Sequence, residues 1–96
     1  MEPLLGIYTA LTRKGLDGKP EGGWIPEQTI DIETAVRGYT INGAYANFVE
    51  NNRGSITAGK YADLVLISEN LFKVPAEKIK DVKVEWTMVG GKKVWP

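Results

Sequence analysis

The spacing of apolar residues changes near residue 54, and this change constrains the fold more than any other feature of the sequence. Before residue 54, apolar side chains recur at the spacing of amphipathic helices. After it, they form one continuous run and then alternate with polar residues, which is typical of strands. No internal repeat is present. The sequence therefore predicts an α+β chain with a helical first half and a β second half.

The first predicted element is an amphipathic helix over residues 3–14. Its apolar face consists of Leu4, Ile7, Tyr8 and Leu11. Pro3 suits the first turn, where no intrahelical N–H bond is lost. Arg13 and Lys14 suit the negative end of the helix dipole, and Gly15 can supply the left-handed residue that follows a helix. We therefore expect the helix to end before Gly15.

A long ordered loop is predicted over residues 15–29. Its helix-breaking and strand-breaking residues are Gly15, Gly18, Gly22, Gly23, Pro20 and Pro26. No helix or central strand accommodates this density of glycine and proline. Trp24 and Ile25 are expected to fix the loop to a core, and stacking of Trp24 on a ligand is the alternative.

Two consecutive helices are predicted after the loop. Asp31 is suited to cap the first of them, and Glu33 favours its first turn. One apolar face consists of Ile32, Ala35, Val36 and Tyr39, and a second, offset face consists of Ile41, Ala44, Tyr45 and Phe48. The offset, together with Gly43, predicts a bend or break near Thr40. Residues 51–54 are expected to form a turn.

Three strands are predicted in the second half. The apolar run from Ala62 to Ile67 predicts a strand covered on both faces. Alternation of apolar and polar residues over 82–88 predicts a half-buried strand. The Gly90-Gly91 pair predicts a two-residue hairpin turn into a third strand over 92–95. With this turn, Trp86 is expected opposite Trp95 and Met88 opposite Lys93.

The chain contains no histidine and no cysteine. The commonest general base, the commonest transition-metal ligands and the thiolate nucleophile are therefore missing. The four aspartates lack the spacing of a calcium-binding loop; they are Asp17, Asp31, Asp63 and Asp81. Basic and acidic residues number 12 each, so no net charge attracts nucleic acid. No apolar run could span a bilayer, and the chain is expected to be cytoplasmic with no membrane partner.

Two features of residues 54–63 could indicate a nucleotide-binding or catalytic site. Gly54 and the Gly59-Lys60 pair have the spacing of a Walker A motif. Tyr61 stands where that motif requires Ser or Thr, and the flanking elements are predicted in the wrong order, so nucleotide binding is not expected. Asp63 precedes the apolar run and is expected to accept backbone N–H bonds from the preceding turn; a catalytic carboxylate is the alternative.

The segment from Gly54 to Ile67 resembles the GSI-x-x-GK-x-ADLV-x-L signature of the amidohydrolase superfamily. Three earlier segments resemble the amidohydrolase family 3 proteins, a group similar to N-substituted formamide deformylase. They are PLLGIYTALTRK (3–14), GGWIPEQTIDIETAVRGYT (22–40) and INGAYANF (41–48). The resemblance covers essentially the whole chain.

The resemblance implies that residues 1–50 are the last loop and helices of a metal-dependent hydrolase (β/α)₈ barrel, and that residues 54–96 are the C-terminal strands of its small β-sandwich domain. It places the metal ligands before Pro3. No catalytic, substrate-binding or metal-ligating residue is therefore assigned to this chain, and zinc or another divalent metal would be bound elsewhere in the parent protein. Pro3, Leu4 and Leu5 would at most shape a pocket wall.

The implied function is that of a non-catalytic C-terminal segment of a metal-dependent amidohydrolase acting on a non-peptide carbon–nitrogen bond in an amide, formamide or cyclic amide. The alternative is a free-standing α+β interaction or oligomerisation module. The expected partners are the N-terminal part of the parent enzyme and, for the isolated chain, a second copy. Such self-association would use an exposed edge beside the strand over 82–88.

Overall fold

The computed structural model describes residues 3–95. Its elements in chain order are α1 (Pro3–Thr12), a 3₁₀ turn (Pro26–Gln28), α2 (Ile32–Tyr39), α3 (Ile41–Ala46), β1 (Leu64–Ile67), a 3₁₀ helix (Ala76–Asp81), β2 (Val84–Val89) and β3 (Lys92–Trp95). The α+β class is confirmed, and the two 3₁₀ elements were not predicted. No helix among residues 3–95 has both the length and the apolar character needed to cross a membrane.

The chain divides into two compact units. The first unit runs up to Val36 and includes Glu69–Val82, and the second comprises Arg37–Ser68 and the chain from Lys83 onward. The first unit has a core in which α1 packs against the 3₁₀ helix Ala76–Asp81. The buried residues of this core are Ile7, Tyr8, Ala35 and Ile79, with Leu11, Ile32, Val36, Leu71 and Val74 packed against them. The predicted apolar face of the first helix is thus confirmed.

Helix α1 ends at Thr12, two residues earlier than predicted. Arg13 adopts the left-handed conformation with a φ of 57°, and its N–H donates to the Thr9 carbonyl at 2.7 Å. This bond is the usual one at a left-handed helix end. The prediction that Gly15 supplies the left-handed residue is therefore wrong, because the end of the helix places that position on Arg13. The Gly15 carbonyl instead accepts a bond from the buried Tyr8 hydroxyl at 2.9 Å.

The loop after α1 is confirmed, but Trp24 does not insert into a core. Trp24 is 62% exposed, and Ile25 is half-buried. The Trp24 N–H donates to the Arg13 carbonyl at 2.9 Å, and Arg13 Nε donates to the Trp24 carbonyl at 2.9 Å. The guanidinium carbon also lies 5.1 Å from the centre of the indole ring. Hydrogen bonds and a cation–π contact therefore fix this loop, and burial of Trp24 is not required.

Helix α2 begins as predicted, with Asp31 as its cap. The Thr34 N–H donates to Asp31 Oδ1 at 2.7 Å. Hydrogen bonds from the Thr34 side chain and then from its backbone N–H lower the pKa of Asp31. Because the pKa of Asp31 is lowered in the folded chain, its ionised carboxylate stabilises the fold at pH values above the ordinary pKa of Asp. This stabilisation is lost as the pH falls through the lowered pKa.

The predicted break between the two helices is confirmed at Thr40, which has φ and ψ of −124° and −102°. The predicted apolar face of the second helix is only partly buried. Ala44 is buried, whereas Tyr45 and Phe48 are exposed; Tyr39, on the predicted face of α2, is exposed as well. Phe48 lies beyond the end of α3 at Ala46, so the helical periodicity does not place it.

The three predicted strands form one antiparallel sheet in the order β1-β2-β3, in the second unit. Gly90 and Gly91 both have positive φ, of 57° and 82°, as a two-residue hairpin turn requires. Met88 lies opposite Lys93 as predicted. Trp95 lies opposite Thr87 and not opposite Trp86, because the register shifts between Thr87 and Met88 and adds one residue on β3.

One expectation about the surroundings of these strands is not met within this chain, and a second is wrong. β1 is not covered on both faces, since Val65 is 56% and Leu66 is 47% exposed. The free edge does not lie beside β2, because β2 is the central strand and pairs with both neighbours. The free edges belong to β1 and β3. Periodicity identifies a strand, but the order of strands in a sheet depends on long-range pairing that periodicity does not encode.

Candidate functional site

The loop that resembles the amidohydrolase signature follows the turn after α3 and leads into β1. Lys60 Nζ donates to Ser55 Oγ at 2.8 Å and lies 3.4 Å from the Arg53 carbonyl. The hydroxyls of Ser55 and Thr57 are 2.8 Å apart. The lysine therefore closes the loop on itself. A helix precedes this loop and a strand follows it, so the arrangement of a Walker A phosphate loop is not present.

One side of this loop lines a shallow depression of about 230 Å³. The lining residues are Ser55, Ile56, Thr57, Ala58, Lys60, Tyr61, Ala62 and Leu64. Ile56, in this loop, is 90% exposed. The depression holds hydroxyl groups and one amine but no carboxylate, imidazole or thiol. Its polar groups are therefore hydroxyls and the Lys60 amine, and the hydrogen bonds between Lys60, Ser55 and Thr57 connect them.

Asp63 connects this loop to the β2–β3 hairpin. Its Oδ1 accepts a bond from the Gly90 N–H at 2.8 Å, and its Oδ2 lies 3.3 Å from Arg53 Nε. The guanidinium carbon of Arg53 also lies 5.3 Å from the centre of the Tyr61 ring. The predicted structural role of Asp63 is confirmed, but the bonded N–H belongs to the hairpin turn and not to the preceding turn. Nothing in the local spacing indicated Arg53 as its ionic partner.

The other aspartates each have a local structural partner. Asp17 Oδ1 accepts a bond from the Lys19 N–H at 3.0 Å, and Asp81 lies 3.6 Å from Lys80 Nζ. Asp31 caps α2. Among residues 3–95 no three His, Cys, Asp or Glu residues come together in a way that could hold a metal ion. The donor set of this chain therefore does not fit the metal centre that the resemblance implies for the parent protein.

Apolar side chains occupy both faces of the sheet. Residues directly opposite one another share a face, so Leu64 and Met88 lie on one face with Leu66 and Trp86. The other face carries Val65 opposite Thr87 and Thr87 opposite Trp95. The exposed fractions are 47% for Leu66, 56% for Val65 and 52% for Trp95. In an antiparallel sheet with one solvated face, apolar and polar residues normally alternate along each strand; β2 largely follows this pattern, but β1, with the sequence LVLI, does not.

Comparison with known proteins assigns the chain to a family. The profile of the amidohydrolase family matches residues 1–95. The chain is 38% identical over 98 residues to Protein LONG AFTER FAR-RED 3 of Arabidopsis thaliana, covering 100% of this chain and 16% of that protein. It is 31% identical over 85 residues to N-substituted formamide deformylase of Arthrobacter pascens, covering 88% of this chain and 15% of that protein.

A third relative is YtcJ of Bacillus subtilis (strain 168), whose name assigns it to the amidohydrolases. It is 25% identical over 95 residues, covering 99% of this chain and 18% of that protein. No solved structure matches the chain. The chain spans about one sixth of the length of these curated relatives. Because the family profile matches almost every residue, this chain belongs to the amidohydrolase family.

Proposed function

We propose that this chain is the non-catalytic C-terminal segment of a hydrolase that cleaves a non-peptide carbon–nitrogen bond. Family membership supports the hydrolase class, and the name of one relative, N-substituted formamide deformylase, supports an amide-type substrate. The short coverage of each relative, 15% to 18% of its length, supports a segment of a larger protein. An amide, a formamide or a cyclic amide is the substrate class.

The chemistry of the whole protein belongs to residues outside this chain. The sequence contains no imidazole and no thiol, and the aspartates serve the fold. The remainder of the parent protein would hold zinc or another divalent metal and the catalytic groups. In this proposal residues 1–50 complete a (β/α)₈ barrel, and residues 54–96 contribute strands to a small β-sandwich in a cytoplasmic enzyme.

The apolar character of both sheet faces carries the proposal. Full burial of a Val or Leu side chain contributes roughly 1.5–3 kcal/mol relative to full exposure. Val65, Leu66 and Trp95 are each about half exposed, so covering each of them recovers on the order of 1 kcal/mol. The N-terminal part of the parent protein is the partner that would cover these faces.

Two measurements test this proposal. The genomic reading frame is sequenced upstream of Met1, and the 96-residue chain is assayed for hydrolysis of an N-substituted formamide after dialysis against chelator and addition of zinc. We expect a reading frame that continues upstream through a His-x-His motif, and no hydrolysis by the chain alone. An in-frame stop codon directly upstream of Met1 would contradict the proposal and favour the free-standing interaction module. Turnover by the purified chain would contradict its non-catalytic role.

A further inference from the structure

The two free edges of the sheet differ in their chemistry. β3 carries two exposed lysines, Lys92 and Lys93. Lysine on an edge strand opposes pairing with another strand, because it brings charge and hydration to the edge. β1 has the sequence LVLI, with no charged residue and no proline. The β1 edge therefore lacks the usual features that prevent a further strand from pairing there.

The backbone of β1 presents hydrogen-bonding groups at this edge. The Ala62 carbonyl accepts a bond from the Gly91 N–H at 3.0 Å, and the Ser68 N–H donates to the Lys83 carbonyl at 2.8 Å. Residues 62 and 68 thus direct their backbone groups towards the hairpin. Because these directions alternate along a strand, Val65 and Ile67 direct their N–H and C=O groups towards the open edge. Among residues 3–95 no strand pairs with β1 on that side.

We propose that a second copy of this chain pairs with β1 at this edge, antiparallel and across a two-fold axis at Leu66. Val65 then lies opposite the partner's Ile67, and the outward backbone groups of these residues bond to one another. The two three-stranded sheets become one sheet of six strands. This inference concerns the chain as it is and does not rest on the proposed enzymatic function.

The charge distribution favours a second copy as the occupant. β1 contains no charge, so two copies of it place no like charges opposite one another. The formal net charge of the whole chain is +0 at pH 7, so the two copies do not repel one another. The apolar faces also continue from one sheet into the other, which shields side chains such as Val65 at the junction.

Sedimentation of the 96-residue chain across a range of micromolar concentrations tests the proposal. Val65→Lys on β1 is compared with Val94→Lys on β3; the two valines are 56% and 60% exposed and both lie on edge strands. We expect a concentration-dependent dimer for the wild type. Val65→Lys should lower the association constant of the dimer by about tenfold or more, because the substitution occurs twice at the junction. Val94→Lys should lower it by less than about threefold.

Amide hydrogen exchange of the wild type provides a readout that does not depend on folding of the variants. We expect exchange at Val65 and Ile67 to slow as the concentration rises. A wild-type chain that stays monomeric, or equal weakening by the two lysine substitutions, would overturn the proposal. Protection of Val65 and Ile67 at every concentration in a longer, monomeric protein containing these residues would assign the edge to another strand of that protein and would also overturn it.

Discussion

At Gly54 the backbone has a φ of +97°, and the neighbouring helix leaves no room for a side chain. A Cβ atom at this position would lie 2.8 Å from the Ala44 Cβ and 3.0 Å from the Ile41 Cα. The first residue of the family signature therefore has two independent reasons to be glycine, one in its backbone conformation and one in its packing.

We predict that Gly54→Ala lowers the free energy of unfolding by about 2–4 kcal/mol, because left-handed strain and overpacking add. Gly59→Ala is the matched control, since Gly59 has a φ of +95° and no atom within 4 Å of its Cβ position. Gly59→Ala should lower the free energy of unfolding by only about 1 kcal/mol, from the strain of a left-handed backbone conformation alone. Urea denaturation of both variants measures the difference, and equal losses would show that packing against α3 contributes nothing.

The conformations of residues at the ends of helices depend partly on contacts within their own segment and partly on contacts with residues farther along the chain. Asp31 caps α2 because its carboxylate reaches an N–H within its own segment. Arg13 adopts a left-handed conformation because its N–H, its carbonyl and its guanidinium all have partners, on Thr9 and Trp24. The contact with Thr9 is local in sequence, but the contacts with Trp24 depend on the path of the intervening loop.

At the scale of elements, Asp63 connects the signature loop to the hairpin that is distant in sequence. Its side chain is 32% exposed and accepts the Gly90 N–H, while Arg53 supplies the opposite charge. A charge-assisted bond of this kind is stronger than an exposed ion pair. The carboxylate thus holds the hairpin turn against the entrance to β1.

We predict that Asp63→Ala lowers the free energy of unfolding by about 1–2 kcal/mol, since it leaves the Gly90 N–H and the Arg53 guanidinium without this acceptor. Asp63→Asn retains an acceptor for Gly90 and should cost less. Asp81→Ala is the control, because the Asp81 side chain is 66% exposed and pairs with the neighbouring Lys80, and it should change stability by less than about 0.5 kcal/mol. Thermal melts would contradict this assignment if the Asp63 and Asp81 variants lost the same stability.

At the scale of the whole molecule, the buried core is small. Six hydrophobic residues are buried among residues 3–95: Ile7, Tyr8, Ala35, Ala44, Ile79 and Val82. A domain of this length has a narrow margin of stability, so the loss of one core side chain consumes much of it. Many large apolar residues remain exposed, which agrees with the proposal that other parts of a longer protein cover them.

We predict that Ile79→Ala lowers the free energy of unfolding by about 2–4 kcal/mol, because Ile79 is 1% exposed and its removal leaves a cavity in the core of the first unit. Ile56→Ala is the matched control, since Ile56 is 90% exposed and its truncation leaves no cavity. Denaturant titration followed by circular dichroism compares them. A change below about 1 kcal/mol for Ile79→Ala would mean that this core does not hold the unit together.

The sequence by itself determined the features that depend on neighbours along the chain. The period of apolar residues identified α1 and the strands, Asp31 marked the start of α2, the offset at Thr40 marked its end, and Gly90-Gly91 marked the hairpin. Family membership was also readable, because the GSITAGKYADLVLI segment is contiguous. Each of these features requires only bonds or spacing within a few residues.

Only the tertiary structure decided the features that depend on contacts between residues far apart in the sequence. The register of β3 depends on a bulge, so Trp95 meets Thr87 and not Trp86. The position of β2 at the centre of the sheet depends on pairing with β1, which lies about twenty residues away along the chain. Trp24 stays exposed because backbone bonds to Arg13 hold its loop. Long-range pairing follows from the summed energy of many contacts, and no local pattern contains that sum.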